Sequence, residues 1–166
     1  MKRAVGSFQF QYIGPLIPSR TRSGAFKLVR PQSRYKNREG HSLHAFGRGS
    51  FCSFSIPAMH QASGVYLLTV GRRVMYVGEC VNLANRFNAG YGYIAPRACF
   101  EGGQSTNCKI NRYVLKLSRN GQTVRLWFRR SRAHKILEDQ LITAMHPQWN
   151  GRRQGQRATR LSRPEK

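Results

Sequence analysis

The sequence predicts a mixed α/β (α+β) domain, and three observations carry that reading. Two β-rich runs, residues 64–70 (GVYLLTV) and 74–78 (VMYVG), flank the glycine-containing turn GRR at 71–73 and read as a hairpin. A third run, residues 124–128 (VRLWF), alternates Val124, Leu126 and Phe128 against Arg125 and Trp127. Three segments with helical spacing, residues 82–89, 107–119 and 133–145, are interleaved with these strands.

Along the chain, Phe8, Phe10 and Tyr12 alternate with polar residues, which predicts a short strand ending at Gly14-Pro15. Residues 18–24 read as a loop, and residues 30–50 are basic, glycine-containing and poor in aromatics. FCSFSI at 51–56 alternates again until Pro57 ends it. Residues 1–63 thus form a basic N-terminal extension, either a small appendage or a source of added strands. In residues 82–89, Asn82 is placed to cap a helix whose Leu83, Ala84 and Phe87 share one face, with Arg86 off that face. Residues 90–106 lack regular pattern, and an irregular stretch of that length needs a task. Ile110, Val114 and Leu117 give the helix at 107–119 its apolar stripe, and Asn120-Gly121 closes it. Leu137, Leu141, Ala144 and Met145 do the same for 133–145, which Pro147 stops. Residues 64–150 are read as the domain itself and residues 151–166 as a basic, mobile tail.

The chain has 166 residues and a formal charge of +23, spread as +9 over residues 1–63, +9 over 64–150 and +5 over 151–166. Of the cations 22 are Arg, whose planar fork grips phosphate oxygens two at a time. Such a chain is expected to bind a polyanion, with nucleic acid favoured over an anionic membrane because no basic amphipathic helix stands out. No run of about 18 apolar residues exists to span a bilayer. The first residues lack the apolar stretch of a secretory signal, so a cytoplasmic protein is expected. Cys52, Cys80, Cys99 and Cys108 form no CxxC pair and are expected to be reduced and mostly buried.

Only six acidic residues are present: Glu39, Glu79, Glu101, Glu138, Asp139 and Glu165. That is too few and too scattered for a two-metal carboxylate site, so the composition supports one-metal chemistry at most. Glu138 borders the apolar face of Leu141 and Met145, which places it half-buried at a cleft, either paired with an arginine or holding a metal. His134 stands four residues before Glu138, a spacing that suits a surface pair on one helix. No histidine has the companions of a nucleophilic triad, and no glycine-rich piece matches a P-loop.

Gly64-Val65-Tyr66, Tyr76-Val77-Gly78, Arg86, Glu138 and the ending Pro147 to Asn150, in that order, resemble the GIY-YIG nuclease family. The resemblance covers residues 64–150, and the string beginning YGYIAPRACF resembles restriction-type or uncharacterised bacterial members. It implies a small three-stranded antiparallel sheet flanked by helices, and hydrolysis of DNA phosphodiester bonds with one Mg2+ or Mn2+ ion. It further implies that Glu138 is the metal ligand, that Tyr66 is the general base or orients the water, and that Tyr76 helps to place that water. Arg86 would bind the scissile phosphate and Asn150 would support the site. Where many members carry a histidine shortly after the arginine, Tyr91 is the candidate here. Val65 and Val77 replace the namesake isoleucines, a conservative change in a strand. Arg and metal charge are expected to lower the tyrosine pKa toward working pH. Arg72, Arg73, Arg97, Lys109, Arg112, Arg152 and Arg153 are the expected phosphate contacts, with Arg97 or Lys109 reaching the site from the stretch that frames it. DNA is the expected partner; a symmetric target would favour a homodimer, and a restriction role would call for a cognate methyltransferase. The competing expectations are a noncatalytic basic nucleic-acid-binding protein and a structural zinc protein built on Cys99, Cys108 and histidines.

Overall fold

A computed structural model describes residues 1–151. Five strands form one sheet: β1 (Lys2–Val5), β2 (Phe8–Leu16), β5 (Gly64–Val70), β6 (Arg73–Cys80) and β7 (Val124–Arg130), in the order β1-β2-β7-β5-β6 and antiparallel throughout. Two short strands, β3 (Leu28–Val29) and β4 (Phe51–Cys52), pair separately. The helices are α1 (Leu83–Asn85), which continues as a π-helix over Arg86–Tyr91, then α2 (Ser105–Arg119) and α3 (His134–Met145).

The expected three-stranded sheet is therefore corrected to five strands. The expected trio is present as β7-β5-β6, but β7 would carry an open row of backbone donors and acceptors along its outer side. The N-terminal extension covers that row: β2 pairs with β7 from Gln11 opposite Phe128 to Leu16 opposite Val124, and β1 pairs with β2. Gly14-Pro15 does not end the strand as expected. The register shifts between Tyr12 and Gly14, and β1 reaches no further along β2 than Gln11. Pro15 thus sits where β2 has a free side, so its missing N–H costs no ladder bond there.

Alternation along the strands splits the core between the two faces of the sheet. Tyr66, Leu68, Val124, Leu126 and Phe128 pack with Leu83, Phe87, Ile110 and Val114. Val65, Leu67, Val77 and Trp127 pack with Leu137 and Leu141 of α3 on the other side. The β5–β6 turn is Gly71-Arg72, one residue shorter than expected, with φ of +56° at Gly71, as a two-residue hairpin turn of this hand requires.

The alternating run 51–56 keeps only Phe51–Cys52 as strand. Asparagines hold the rest of its route. The Asn111 side chain accepts from Cys52 N–H (3.0 Å) and donates to Cys52 C=O (2.8 Å) and Tyr91 C=O (2.7 Å). Asn88 likewise accepts from Ile56 N–H (2.8 Å) and donates to Ile56 C=O (3.0 Å). Each amide thus does for a chain segment what a neighbouring strand would do. Residues Pro96–Cys99 form a 3-10 turn whose Ala98 and Cys99 lie with Phe51, Phe100 and Cys108 in a small third core. No helix among the described residues is long and apolar enough to cross a membrane.

Candidate functional site

The site lies beside β6, the end strand of the sheet. Tyr66 on β5 stands opposite Gly78 on β6, and Tyr76 precedes Gly78 by two residues. A Cβ at Gly78 would overlap the Tyr66 phenol and sit 2.8 Å from Cε1 of Tyr76, so this glycine makes the room in which the two rings lie. Their centroids are 6.2 Å apart.

Asn82 caps α1 by accepting from Asn85 N–H at 2.8 Å. From Arg86 the helix widens to the i→i+5 pattern, closed by Gly92 N–H on Phe87 C=O at 2.6 Å. At 3.6 residues per turn, residues five apart point about 140° away from one another, whereas the wider turn brings them onto one face. Arg86 and Tyr91 are five apart, and they meet. The guanidinium carbon lies 4.4 Å from the Tyr91 ring centroid, and Nη2 donates to Tyr91 Oη at 2.8 Å. Arg86 Nε donates to Tyr66 Oη at 3.4 Å, and the two hydroxyls are 2.6 Å apart.

Glu138 arrives from α3, on the other face of the sheet, and lines the same cleft as Tyr66, Tyr76, Glu79 and Arg86, a space of about 330 Å3. One turn before it, His134 Nδ1 lies 2.6 Å from Oε2 of Glu79. Asn150 sits beneath the site. Its side chain accepts from Val77 N–H (2.9 Å) and donates to Val77 C=O (2.7 Å), and Trp149 N–H donates to Met75 C=O (2.8 Å). This edge strand is thereby capped by a chain segment that is not a strand.

Burial pushes the Tyr66 phenol well above its ordinary range, with Tyr76 adding to the effect and Arg86 opposing it. Burial does the same to Tyr76, where Tyr91 adds to it and Glu138 contributes in the same direction. Tyr91 is raised as well, first by burial and then by Tyr66. Of the arginine and metal charges expected to lower these phenols, Arg86 acts in that direction, but loss of water outweighs it. Burial works against the Arg86 charge too, yet Tyr91 and Tyr66 over-compensate and hold its pKa above the usual value.

Of the expected site residues, Tyr66, Tyr76, Arg86 and Glu138 share the cleft. Tyr91 does not line it; the ring is fully buried behind Tyr66, which it touches through its hydroxyl. Residues 90–106, expected to frame the cleft, do not line it, and Ile94, Ala98, Cys99 and Phe100 of that stretch pack in the third core. Arg97 donates to Glu101 C=O (2.9 Å) and Lys109 to Trp149 C=O (2.7 Å), so neither reaches in. Burial lowers the pKa of Lys109. Arg72 and Arg73 are exposed at the hairpin turn, roughly 20 Å from Glu79 at ~3.3 Å per residue of strand. Arg112 belongs to a groove on α2. Arg152, Arg153 and the rest of the basic tail lie outside the described residues.

No protein-family model, curated protein or solved structure matches this chain. The geometry therefore carries the chemistry. The sequence reading missed Glu79 with His134, and the cleft rim of Cys80, Val81, Asn82 and Asn85. Glu79 was visible as one of six acids directly after Gly78, but its histidine partner comes from a helix 55 positions later.

The four cysteines are free and buried. Cys108 Sγ donates to Ala98 C=O at 3.6 Å, and the influence of each thiol on the other lowers the pKa of Cys99 and raises that of Cys108. Among the described residues no three His, Cys, Asp or Glu side chains gather around a common point, which removes the basis for the structural zinc alternative. A magnesium ion makes a smaller demand. It is commonly held by one or two carboxylates with waters and substrate phosphate oxygens completing its shell. A half-buried carboxylate that lines the same open cleft as the Arg86 guanidinium fits that donor set.

Proposed function

We propose that this protein is a divalent-metal-dependent DNA endonuclease of the GIY-YIG kind, hydrolysing phosphodiester bonds in the cleft at the β6 edge. The observation that carries this reading is the convergence of Tyr66, Tyr76, Arg86 and Glu138, drawn from four separate elements, into one cleft. A structural tyrosine pair would need neither a carboxylate from the opposite face nor a π-helical turn to aim an arginine.

In this reading Glu138 holds a Mg2+ or Mn2+ ion, which would supply Lewis-acid polarisation of the phosphate when bound. Arg86, fixed by two phenols, holds a phosphate oxygen and stabilises charge as it develops there. Tyr76, 8% exposed, is the more accessible phenol and positions the attacking water. Tyr66 acts as general base from its phenolate form, in which the oxygen would accept from the Tyr91 hydroxyl and from Arg86 Nε, the two groups that already touch it. Taking the proton of the water returns Tyr66 to the neutral phenol. Asn150 keeps β6 in place and stands outside the chemistry.

The test is nicking of supercoiled plasmid by the full chain with Mg2+, with Mn2+ and with EDTA, alongside Glu138→Gln. Cleavage that needs the ion and is lost in Glu138→Gln, with DNA binding kept, is the expected result. DNA binding without cleavage by either protein would leave a noncatalytic nucleic-acid-binding protein instead, and equal cleavage by both would overturn the role of Glu138.

A further inference from the structure

A second concavity, about 610 Å3 and so larger than the catalytic cleft, opens along α2 and shares no lining residue with it. Its floor is Arg112, Lys116 and Arg119, spaced i, i+4, i+7 on a single stripe of the helix. Opposite stand Phe46 and the backbone-rich turn of Gly49 and Ser50. No carboxylate lines it, whereas the catalytic cleft has two.

Like charges three and four residues apart on a helix repel. The helix dipole accounts for cations in the last turn, where Lys116 and Arg119 lie, but not for their walling a cavity together with an aromatic ring. That ring is held in place. Phe46 packs edge-on against Tyr113 (6.5 Å, 71°), Tyr113 stacks on Trp149 (4.8 Å, 31°), and Lys109 Nζ lies 5.9 Å from the Phe46 centroid. Phe46 is only half-buried, and Arg112 is steered by a bond to Ala45 C=O at 3.4 Å. A fixed, partly exposed aromatic surface beside three cations is the pairing that single-stranded nucleic acid uses, bases on the ring and phosphates on the charges. The volume falls within the range of small-ligand pockets, about 300–1,000 Å3, which suits one nucleotide. A duplex keeps its base faces stacked inside and could offer such a pocket only its phosphates.

We infer that this groove holds an unpaired nucleotide of a DNA strand, with its base against Phe46 and its phosphates on Arg112, Lys116 and Arg119. The inference rests on the nucleic-acid reading above and names a second place where the strand is held; it does not depend on catalysis. The groove is tied to the catalytic edge, because Trp149 stacks on Tyr113 while its own N–H caps β6 at Met75.

The test measures binding in EDTA, by fluorescence anisotropy, of a labelled oligothymidylate of about a dozen nucleotides and of a duplex of equal length. Wild type is compared with Phe46→Leu, with Arg112→Gln/Lys116→Gln/Arg119→Gln, and with a triple Gln control at Arg20, Arg22 and Lys27, all three exposed and none of them lining the groove. The expected result is that the α2 triple weakens single-strand binding at least tenfold and flattens its salt slope by about 2, from ~0.7 per phosphate contact. Phe46→Leu is expected to weaken it several-fold while duplex binding and melting temperature stay near wild type. An oligonucleotide carrying 5-iodouracil is expected to photocrosslink to the peptide containing Phe46 or Tyr113. Unchanged single-strand binding in the α2 triple overturns the inference, as does an equal loss for duplex and single strand. If wild type binds neither nucleic acid, the nucleic-acid reading itself falls; if it binds both but cleaves nothing, only the nuclease reading fails.

Discussion

The hydroxyl of Tyr66 lies 2.6 Å from that of Tyr91, and Arg86 donates to both oxygens. Three side chains thus act as a unit inside the protein, with Tyr91 buried outside the cleft and Tyr66, also buried, forming part of the cleft wall. Groups that share one network give non-additive mutational effects, with coupling of about 0.5–3 kcal/mol. Tyr66→Phe and Tyr91→Phe are each expected to lower plasmid cleavage, and the double variant to lose little more than Tyr66→Phe alone. A double variant whose loss equals the product of the two single losses would show that the hydroxyls work independently. Single-turnover rates of all four proteins decide it.

Gly78 is the next test, because the space between two phenols depends on the absence of its side chain. Gly78→Ala pushes a methyl group into Tyr66 and Tyr76, and overpacking of this kind costs about 1–3 kcal/mol. A lowered melting temperature together with lost cleavage is expected. Gly71→Asn, at a turn where nothing lies near the added Cβ, is the comparison and is expected to cost less.

Alkaline pH separates stability from rate. Tyr66, Tyr76 and Tyr91 all have pKa values raised by burial, while an unfolded tyrosine titrates near 10. Burial also pushes Cys52 to about 12 and Cys80 to about 11, against about 8.5 when unfolded. At high pH the unfolded chain therefore binds fewer protons than the folded one, and stability falls as pH rises. The loss is expected to begin near pH 8.5 with the thiols and to steepen above about pH 10 with the phenols. Urea unfolding at pH 7, 9 and 10.5 checks the order. If Tyr66 is the base, cleavage rises with pH until this loss of structure overtakes it; a rate that is flat from pH 6 to 9 would rule that role out.

Asn150 offers a prediction about architecture. Its amide closes both backbone groups of Val77 on an edge strand. Asn150→Ala leaves that N–H and C=O without the partner, at about 1–3 kcal/mol if they stay buried. Hydrogen exchange is expected to report faster exchange at Val77, with a smaller change at Leu67, its Cα partner on β5. Asn150→Asp keeps an acceptor for the N–H and is expected to lie between the two.

The periodicities of 2 and 3.6 residues placed β5, β6, β7, α2 and α3 to within a few residues, since each of these elements buries a continuous apolar face. The ordered set Tyr66, Tyr76, Arg86 and Glu138 came from the resemblance to the GIY-YIG family and not from periodicity, and all four share one cleft. The tertiary structure decided what local pattern cannot encode. Whether Phe8–Leu16 stands alone or completes the sheet depends on an unpaired edge more than 100 residues away, on β7. The π-helical turn that joins Arg86 to Tyr91 replaces an α-helical spacing that would have separated them. Asn88, Asn111 and Asn150 look in the sequence like loop or cap residues, and their bonds to Ile56, Cys52 and Val77 exist only once distant backbone arrives beside them. Finally, the sequence supplied tyrosine and arginine in the right order, while burial, a property of the folded chain alone, set which proton each phenol keeps.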